Sequence, residues 1–491
     1  MRGDIRPEGR EKRFRMENKM TKGKNGELTP LGMKIILLYC VANVGMMVLD
    51  TVLDQYAVFF YAPRRTEGGA AAGAVMAFAP LVLAGLALNF GRFMDALANP
   101  IVGYLSDRTS TRWGRRIPYV LFGSIPMTIF FIMMFFPPLQ SESKWNAVWF
   151  AFTCGGFLFL YTLVVAPYLA LIPELAKSSD DRVKLSSWHA IASMLGLIIG
   201  SVATGVIVTK AGGGTNGIRT MAVSMGILSF ATIIFTALTV KEGPVTKEKV
   251  AKISFMQALA PAFKNKHFLI YIFSISSFWL GYKVLQSSTI YVCTVILNKP
   301  EGYVSAIMAG MLVVLLLSIP LVFTLYNKFG KKKLFLAGLA MMMLFSPLQG
   351  LVIKAGVFMD ATLFYHIIIA LMGFPIALML VIYNAVLSDI IDFDEKQTGF
   401  RREAMYYGIE GLFTKTTRGI GSSLSAVLFA LFGLDAASGS AFSGITRSIT
   451  DFFASVGLGA GPATGLLLAG PICAVFSLAG VIIFSKYTLT K

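Results

Sequence analysis

A small polar group inside a long apolar stretch is the first feature of this sequence that suggests chemistry. Arg92, Asp95 and Asn99 stand at positions i, i+3 and i+7, so a helix would place them on one face. A carboxylate and an amide oxygen on one face suit a small hard cation, which prefers oxygen ligands. The spacing predicts a candidate Na+ site at Asp95 and Asn99. The alternative is a salt bridge between Asp95 and Arg92 that only joins helices.

A lysine far along the chain is the best candidate partner for this carboxylate. Lys415 lies about 18 Å from position 403, where its predicted helix begins, at ~1.5 Å per residue. A lysine at that depth does not easily snorkel to the interface, so we expect it to face a carboxylate or a cavity. Lys415 can neutralise Asp95 until a cation enters, or it can form a static brace with Asp95. Arg418, one turn further on, is an alternative partner.

Two acids near the end of the first apolar stretch are the next candidates. Asp50 and Asp54 are spaced i, i+4 on one helix face. They can accept hydrogen bonds from hydroxyl groups in a cavity, or they can pair with Arg64 or Arg65 at the outer rim. Aromatic rings offer flat apolar platforms with polar handles, although they are also ordinary packing residues. The further candidates for a substrate cavity are Tyr168, Trp188, His189, Trp279, Tyr282 and Lys283.

The composition indicates the class of protein in which these residues lie. The chain has 491 residues, of which 55% are hydrophobic and only 14% charged, and its mean hydropathy is +0.69. Soluble domains carry about 25% charged residues, so we predict an all-α membrane protein. Twelve apolar segments are long enough to cross a bilayer. They are 33–62, 73–105, 117–137, 145–172, 186–209, 220–241, 266–295, 302–326, 333–354, 362–390, 403–432 and 462–487.

The basic residues predict the orientation of these segments. With a cytoplasmic N-terminus, 32 of the 44 lysines and arginines fall in cytoplasmic segments and eight in external loops. This asymmetry follows the positive-inside rule. The excess of lysine and arginine in the cytoplasmic segments accounts for the net charge of +18, so that charge does not require a nucleic-acid partner. We expect a multi-pass protein of the cell or inner membrane with both termini in the cytoplasm.

A long basic connection divides the twelve segments into two sets of six. We predict four regions: a cytoplasmic basic segment (1–32), a six-helix bundle (33–241), a cytoplasmic linker (242–265) and a second six-helix bundle (266–491). A basic turn recurs after the second helix of each half, as Gly114-Arg-Arg and as Gly330-Lys-Lys-Lys. Two such halves are typical of a parallel-repeat transporter with its substrate site between them near the midplane.

Three sequence blocks resemble one known family. The first is GRFMDALANPIVG at 91–103, which continues to DRTSTRWGRRIP at 107–118. The second is LSDIIDFDE at 387–395, followed by GFRREA at 399–404 and FTK at 413–415, and the third is APYLALIP at 166–173. These blocks resemble the glycoside–pentoside–hexuronide:cation symporters of the major facilitator superfamily, the group that contains melibiose permease. The resemblance spans both halves and implies the twelve-helix fold of that superfamily.

The resemblance also implies roles for particular positions. The coupling-cation site of the family uses an acidic pair where this chain has Asp95 and Asn99, so one acid is missing here, and Lys415 matches a family lysine near that site. The family's sugar-binding aspartate of helix 4 falls at Val165. The arginine that accompanies it in helix 5 falls at His189. These departures argue against galactoside recognition.

Charged residues in two cytoplasmic turns have a mechanical interpretation. Acids clustered among the basic residues suggest charge networks that close an inner gate in each half, whereas positive-inside anchoring alone does not require acids. The predicted gate residues are Asp107, Arg108, Arg112, Arg115 and Arg116 in the first half, and Asp389, Asp392, Arg401 and Arg402 in the second.

We therefore predict a secondary active symporter that works by alternating access, with a small solute such as a sugar or glycoside as substrate. The alternative is a cation-coupled transporter of lysophospholipid or another amphipathic solute, since the same superfamily branch includes one. No catalytic motif is present, so an enzyme is not expected. We expect no cofactor, H+ or Na+ as the coupling ion, a bilayer environment and a monomer.

Overall fold

The predicted apolar segments form long helices in the computed structural model of this chain. It describes residues 32–63, 76–109, 111, 113–176, 179–240, 263–357, 359–398, 403–434, 451, 455 and 462–489. Most of these residues are helical, and none of them belongs to a β-strand. The predicted cytoplasmic segment 1–32 and the predicted linker 242–265 lie almost wholly outside the described residues.

Six spans make up the first half, and the fifth of them changes its helical winding near its end. Helix α5 passes through a π-helical turn at Ile199–Ala203 and continues as Thr204–Lys210. The six helices are α1 (Met33–Tyr61), α2 (Leu81–Arg108), α3 (Ile117–Met134), α4 (Lys144–Leu169), α5 (Ser179–Ile198) and α6 (Gly214–Thr239).

Six further spans make up the second half. The run Val304–Phe345 contains two helices, because Gly330 adopts φ 75° and breaks the helical path. This left-handed conformation suits glycine, which has no Cβ to clash. The six helices are α7 (Lys266–Tyr291, extended by a π-helical turn Val292–Ile296), α8 (304–329), α9 (331–345), α10 (Ala361–Thr398), α11 (Glu403–Phe429, extended by Ala430–Leu434) and α12 (Pro462–Ser485).

The described helices confirm the predicted twelve-span architecture. Ten described segments are long and apolar enough to cross a membrane, and one of them, Glu301–Leu351, contains both α8 and α9. Helix α11 is less apolar because it carries charged and hydroxyl side chains, and it is the twelfth span. The helix ends differ from the prediction: α5 begins at Ser179 and α10 continues to Thr398. Hydropathy locates only the apolar part of a helix, so it misses polar turns at the ends.

Close packing of α1 against α5 depends on two glycines. A Cβ on Gly196 would lie 2.5 Å from the Val44 carbonyl oxygen, and a Cβ on Gly200 would lie 2.7 Å from Thr51 Cβ. The G-x-x-x-G spacing therefore lets the two backbones approach closely, as small residues do between membrane helices.

The two halves are joined near the end of α5, at the predicted external face. The Gly205 N–H donates to Ser305 Oγ at 3.0 Å, and the Gly214 N–H donates to the buried Glu301 carboxylate. The Tyr291 hydroxyl donates to the Ala62 carbonyl oxygen at 3.0 Å. Each of these hydrogen bonds links a residue of the first half to one of the second.

Candidate functional site

An arginine of α2 holds both acids of α1. Arg92 Nη1 lies 3.2 Å from Asp50 Oδ1, and Arg92 Nη2 lies 2.6 Å from Asp54 Oδ1. The i, i+4 spacing of the two acids allows one guanidinium to reach both, and only 6% of the Arg92 side chain is exposed. Arg92 pairs with α1 and not with Asp95 of its own helix, which corrects the predicted alternative of a salt bridge between Arg92 and Asp95. Arg64 and Arg65, the alternative partners predicted for the two acids, lie outside the described residues.

A lysine of the second half completes this cluster. Lys283 of α7 places its Nζ 2.9 Å from Asp54 Oδ1, and its side chain is 3% exposed. Its Nζ also donates to Gln286 Oε1 at 3.2 Å. Asp50, Asp54, Arg92 and Lys283 thus form a group of two acids and two bases. We call this group the α1–α2–α7 cluster; it joins the halves and satisfies the charge of each member, as buried charges require.

Asp95 belongs to a second, separate group. Lys415 Nζ of α11 lies 3.0 Å from Asp95 Oδ1, and the Thr162 hydroxyl of α4 donates to the same oxygen. Asp95 is almost completely buried, whereas about a third of the Lys415 side chain, 34%, remains exposed. The structure thus brings together the predicted pair of Asp95 and Lys415. We call the three residues the Asp95 group.

Thr162 was not among the predicted site residues, because the sequence carries no signal for it. Hydroxyl residues are common within these helices, and most of them donate to the carbonyl one turn earlier. Thr153, on the same helix, does so to the Trp149 carbonyl at 2.8 Å. Only the packing of α4 against α2 distinguishes Thr162 from Thr153.

Asn99 does not share a site with the Asp95 carboxylate in this structure. Its Nδ2 donates to the backbone carbonyl of Asp95 at 2.9 Å, and its side chain is exposed. Asparagine can form such a bond to the preceding turn of its own helix. The Asp95 carboxylate instead faces α4 and α11. The expected pairing of a carboxylate with an amide oxygen is therefore absent from the described geometry.

The second arginine of the membrane region lies on an aromatic ring. The Arg418 guanidinium carbon lies 4.4 Å from the centroid of Trp279, which is buried in α7. Tyr282 stacks parallel to Phe278 with 6.1 Å between ring centroids. The predicted alternative, a contact between Arg418 and Asp95, is not formed; the cation–π contact with Trp279 takes its place.

Tyr168 contradicts its predicted place in a substrate cavity. Its ring stacks on Tyr39 at 4.4 Å and is fully buried, and each of the two hydroxyls donates to the backbone carbonyl of the other residue, at 3.0 and 3.1 Å. The ring of His189 lies 5.9 Å from that of Tyr168, and within the part of the chain that the structure describes the His189 Nε2 has no hydrogen-bond partner. Trp188 packs against the hydrophobic core. Tyr168 is therefore a packing residue, because ring and hydroxyl are both satisfied by α1.

A narrow cleft lies between the halves beside Asp54. Helices α1, α2, α7 and α11 line it, so both halves contribute to its wall. Gln55 Nε2 is buried there and has no hydrogen-bond partner among the described residues. The polar lining residues are Asp54, Gln55, Ser287, Tyr291, Ser422 and Ser425. These groups can hydrogen bond to a hydroxyl-bearing solute.

The predicted inner gate is described only in part. Arg115 Nη2 and Arg116 Nε each lie 2.7 Å from Glu174 Oε1, on the short helix Ile172–Leu175 that follows α4. Asp389 pairs with Lys331 in the second half. Neither Glu174 nor Lys331 was among the predicted gate residues, although Lys331 lies in the recurring basic turn. The Asp107 and Arg108 side chains and residues Arg112, Arg401 and Arg402 lie outside the described residues, and Asp392 is exposed at the end of α10.

Comparison with known proteins decides the family. The model of the MFS/sugar transport protein family matches residues 38–468, which span most of both halves and include every residue of the two groups. This chain belongs to that family. Its resemblance to the glycoside–pentoside–hexuronide:cation symporters is confirmed, and so is the prediction of a secondary active transporter with the major facilitator superfamily fold.

Two curated relatives named for different substrates match most of the chain, and a third matches a shorter part of it. The isoprimeverose transporter of Lactiplantibacillus pentosus is 24% identical, over 80% of this chain and 79% of the relative. The sphingosine-1-phosphate transporter MFSD2B of Mus musculus is 26% identical, over 73% of this chain and 75% of that relative. An uncharacterized symporter of Synechocystis is 30% identical, but the match covers 46% of this chain and 40% of that protein.

A solved structure agrees with the fold. The crystal structure of a D-xylose-proton symporter superposes with a TM-score of 0.64 at 14% identity, over 92% of this chain and 97% of the other. At this identity the comparison supports the common twelve-helix architecture.

Proposed function

We propose that this protein couples the uptake of a sugar or glycoside to the movement of a cation, with Asp95 as the cation-binding carboxylate. The observation that carries the proposal is the contact of Asp95 with Lys415 at 3.0 Å. A charged residue within a membrane costs about 2.5–3.5 kcal/mol on insertion scales and usually marks a functional site. Here the acid and the base come from different halves, so the contact depends on how the halves are arranged.

The proposed coupling is a competition for Asp95. Lys415 neutralises the carboxylate while the site is empty, and an entering cation takes over that role. Lys415 is then released from α2. The equilibrium between the inward-open and outward-open arrangements of the two halves shifts toward the arrangement that binds the cation more tightly, and the size of the shift is set by the difference in cation affinity between the two arrangements. The partial exposure of Lys415 supports this role, because a fully sealed pair would have no route for an ion.

We further propose that the coupling ion is a proton. Sodium is held by several oxygen ligands, and Asp95 is the single carboxylate of its group, since Asn99 directs its amide nitrogen to the helix backbone. A proton needs one acceptor. The Thr162 hydroxyl already donates to Asp95, and it can accept when the carboxyl group becomes the donor.

The substrate is proposed to bind between the halves, next to the α1–α2–α7 cluster. The cleft beside Asp54 offers Gln55 and three serine hydroxyls for hydrogen bonds. The remaining parts of the proposal follow the sequence: two bundles at 33–241 and 266–491, both termini in the cytoplasm, and a monomer in the lipid bilayer. The charge pairs of Arg115 and Arg116 with Glu174 belong to the proposed inner gate.

A second candidate function is cation-coupled transport of an amphipathic lipid. Two observations favour it: the similarity to MFSD2B, and the presence of Val165 where the sugar-binding family members have an acid. Under this proposal the site around Asp95 keeps its role, and only the cargo differs.

A ligand screen distinguishes the two cargos. Purified protein is heated with sugars, glycosides or lysolipids, and a ligand that binds only the folded state raises the melting temperature by mass action. Stabilisation by a sugar or glycoside, followed by gradient-driven uptake of that compound into proteoliposomes, supports the first proposal. Stabilisation only by lysolipids supports the second. The Asp95→Asn variant is the control, because its melting temperature should no longer depend on the coupling cation.

A further inference from the structure

Buried side-chain amides in this protein donate hydrogen bonds, and Gln55 is the exception among the described residues. Asn146 Nδ2 donates to three backbone carbonyl oxygens at 2.9–3.0 Å, and Gln349 Nε2 donates to Ser288 Oγ at 2.7 Å. Gln55 Nε2 is buried like these nitrogens, but none of the described residues accepts a hydrogen bond from it. A buried donor without an acceptor costs free energy, so a glutamine that serves only packing is expected to find a partner.

Gln55 lines the cleft between the halves, and three aromatic rings close this cleft toward the predicted external face. The ring of Phe59 in α1 lies 5.5 Å from that of Tyr291 in α7, and the ring of Phe429 in α11 lies 5.6 Å from Tyr291. The rings come from both halves, so they must separate when the halves open outward. The cleft then widens beside Gln55, and an entering solute meets its amide.

The other polar groups of the cleft mainly accept hydrogen bonds. Ser422 and Ser425 each donate the hydroxyl proton to the backbone carbonyl four residues earlier in α11, at 3.1 and 2.7 Å. Their oxygens keep lone pairs for the cleft. The ionised Asp54 carboxylate can only accept, and the Ser287 hydroxyl can do either. Among these lining groups, the Gln55 amide nitrogen is the one that can only donate.

We propose that Gln55 determines specificity by donating a hydrogen bond to one oxygen of the transported solute, while Ser422, Ser425 and Asp54 accept from the solute's O–H groups. This inference rests on the proposed function and assigns the polarity of recognition within its cleft. The solute carries one oxygen that accepts from α1 and further hydroxyls that donate to the opposite wall. A solute without the accepting oxygen leaves the Gln55 donor unpaired and therefore binds less tightly.

The test separates the donor and acceptor roles of each solute hydroxyl. Replacing a hydroxyl by hydrogen removes both roles, whereas replacing it by fluorine removes the donor and keeps a weak acceptor. Glucose, xylose and their monodeoxy and monodeoxyfluoro derivatives are titrated into the purified natural protein, Gln55→Met, Gln55→Glu and Gln140→Met. Gln140 is a matched control, because it is exposed near the predicted external face and accepts from Arg219 at 3.2 Å.

We expect one hydroxyl position at which the fluoro derivative binds about fivefold more tightly than the deoxy derivative, a difference of about 1 kcal/mol. Gln55→Met should remove this difference, because the donor is gone. Gln55→Glu should reverse it, because a carboxylate repels fluorine. Gln140→Met should keep the natural pattern. At positions that donate to the serines, the deoxy and fluoro derivatives should bind equally weakly in all four proteins.

Three results overturn the proposal: no sugar of the panel binds the natural protein, no position distinguishes fluorine from hydrogen, or the difference survives in Gln55→Met. If Gln55→Met does not fold, the reversal expected in Gln55→Glu decides the question, and an unreversed difference overturns the proposal.

The outcome is separable from that of the proposed function. Binding is measured without any gradient, so a fluorine preference that depends on Gln55 supports its recognition role even if uptake is not cation-coupled. Gradient-driven uptake of a sugar whose derivatives bind independently of Gln55 leaves the proposed function standing and overturns the role of Gln55.

Discussion

Lys415 Nζ lies 3.0 Å from Asp95 Oδ1, and this contact ties α11 of the second half to α2 of the first. Asp95 is almost fully buried, while Lys415 keeps an exposed edge. A buried carboxylate with an exposed cationic partner is suited to exchange that partner for a mobile ion. The proposed coupling mechanism depends on this difference between the two residues.

The pair of Asp54 and Lys283 predicts a stability effect that depends on both residues. Removing one partner of a buried ion pair leaves an uncompensated charge, which costs about 3–5 kcal/mol. Asp54→Asn and Lys283→Gln should therefore each lower the melting temperature of the purified protein, and the double variant should lose less than the two single losses combined. Lys331→Gln is the control, because its pair with Asp389 is partly exposed. Strict additivity of the two losses would show that Asp54 and Lys283 are not coupled.

The contacts of Glu174 predict the behaviour of the inner gate. Arg115→Gln together with Arg116→Gln removes both charge contacts to Glu174 and should favour the inward-open arrangement. Glu174→Gln should produce the same change from the other side of the contact. Cysteine labelling from each face of the membrane measures the shift. The control is the double variant of two exposed lysines, Lys328→Gln with Lys333→Gln, which loses the same charge as the arginine double variant. Unchanged labelling from both faces would leave these arginines with a role in topology alone.

The glycine contact at the predicted external face provides a third prediction. A Cβ at Gly205 would lie 2.1 Å from Ser305 Oγ and 2.2 Å from the Gly302 carbonyl oxygen, so Gly205→Ala must push the two halves apart. We expect greater labelling from the external side and a lower melting temperature. Gly408→Ala is the matched control, because nothing lies within 4 Å of its added Cβ. Equal behaviour of the two variants would argue against a tight closure at Gly205.

Asn99 tests the identity of the coupling ion. Asn99→Asp restores the acidic pair of the family and adds a carboxylate one turn from Asp95, so sodium stimulation of uptake should appear or increase. Asn99→Ala separates this effect from loss of the hydrogen bond to the Asp95 carbonyl, and it should leave sodium dependence unchanged. The readout is uptake into proteoliposomes under an imposed sodium or proton gradient. Strong sodium dependence of the natural protein without a proton response would contradict the proton proposal.

The transmembrane spans and one contact of the site, between Lys415 and Asp95, could be predicted from the sequence. Long apolar runs have few alternatives to transmembrane helices, so the twelve spans followed from composition. The depth of Lys415 in an apolar helix indicated a carboxylate or a cavity opposite it. The match to a family lysine near the cation site then pointed to Asp95.

The partners of Arg92 and the place of Tyr168 did not follow from the sequence, because they depend on how helices are rotated against each other. Asp95 and the α1 acids were all within reach of Arg92, and only the packed helices select the latter. Tyr168 in α4 had the residue type of a cavity wall, but its hydroxyl is satisfied by the Tyr39 carbonyl. Residue type and spacing place a side chain on a helix face; they do not identify what lies opposite that face.

The most direct test of the account measures uphill uptake and exchange in the Asp95→Asn variant. Proteoliposomes that contain the natural protein or the variant receive a proton or sodium gradient, and accumulation of the identified substrate is followed alongside its exchange at equal concentrations. The account predicts that Asp95→Asn loses uphill accumulation and keeps exchange, because the substrate site remains while the cation site is gone. Undiminished gradient-driven accumulation in the variant would contradict the account and remove Asp95 from the coupling mechanism.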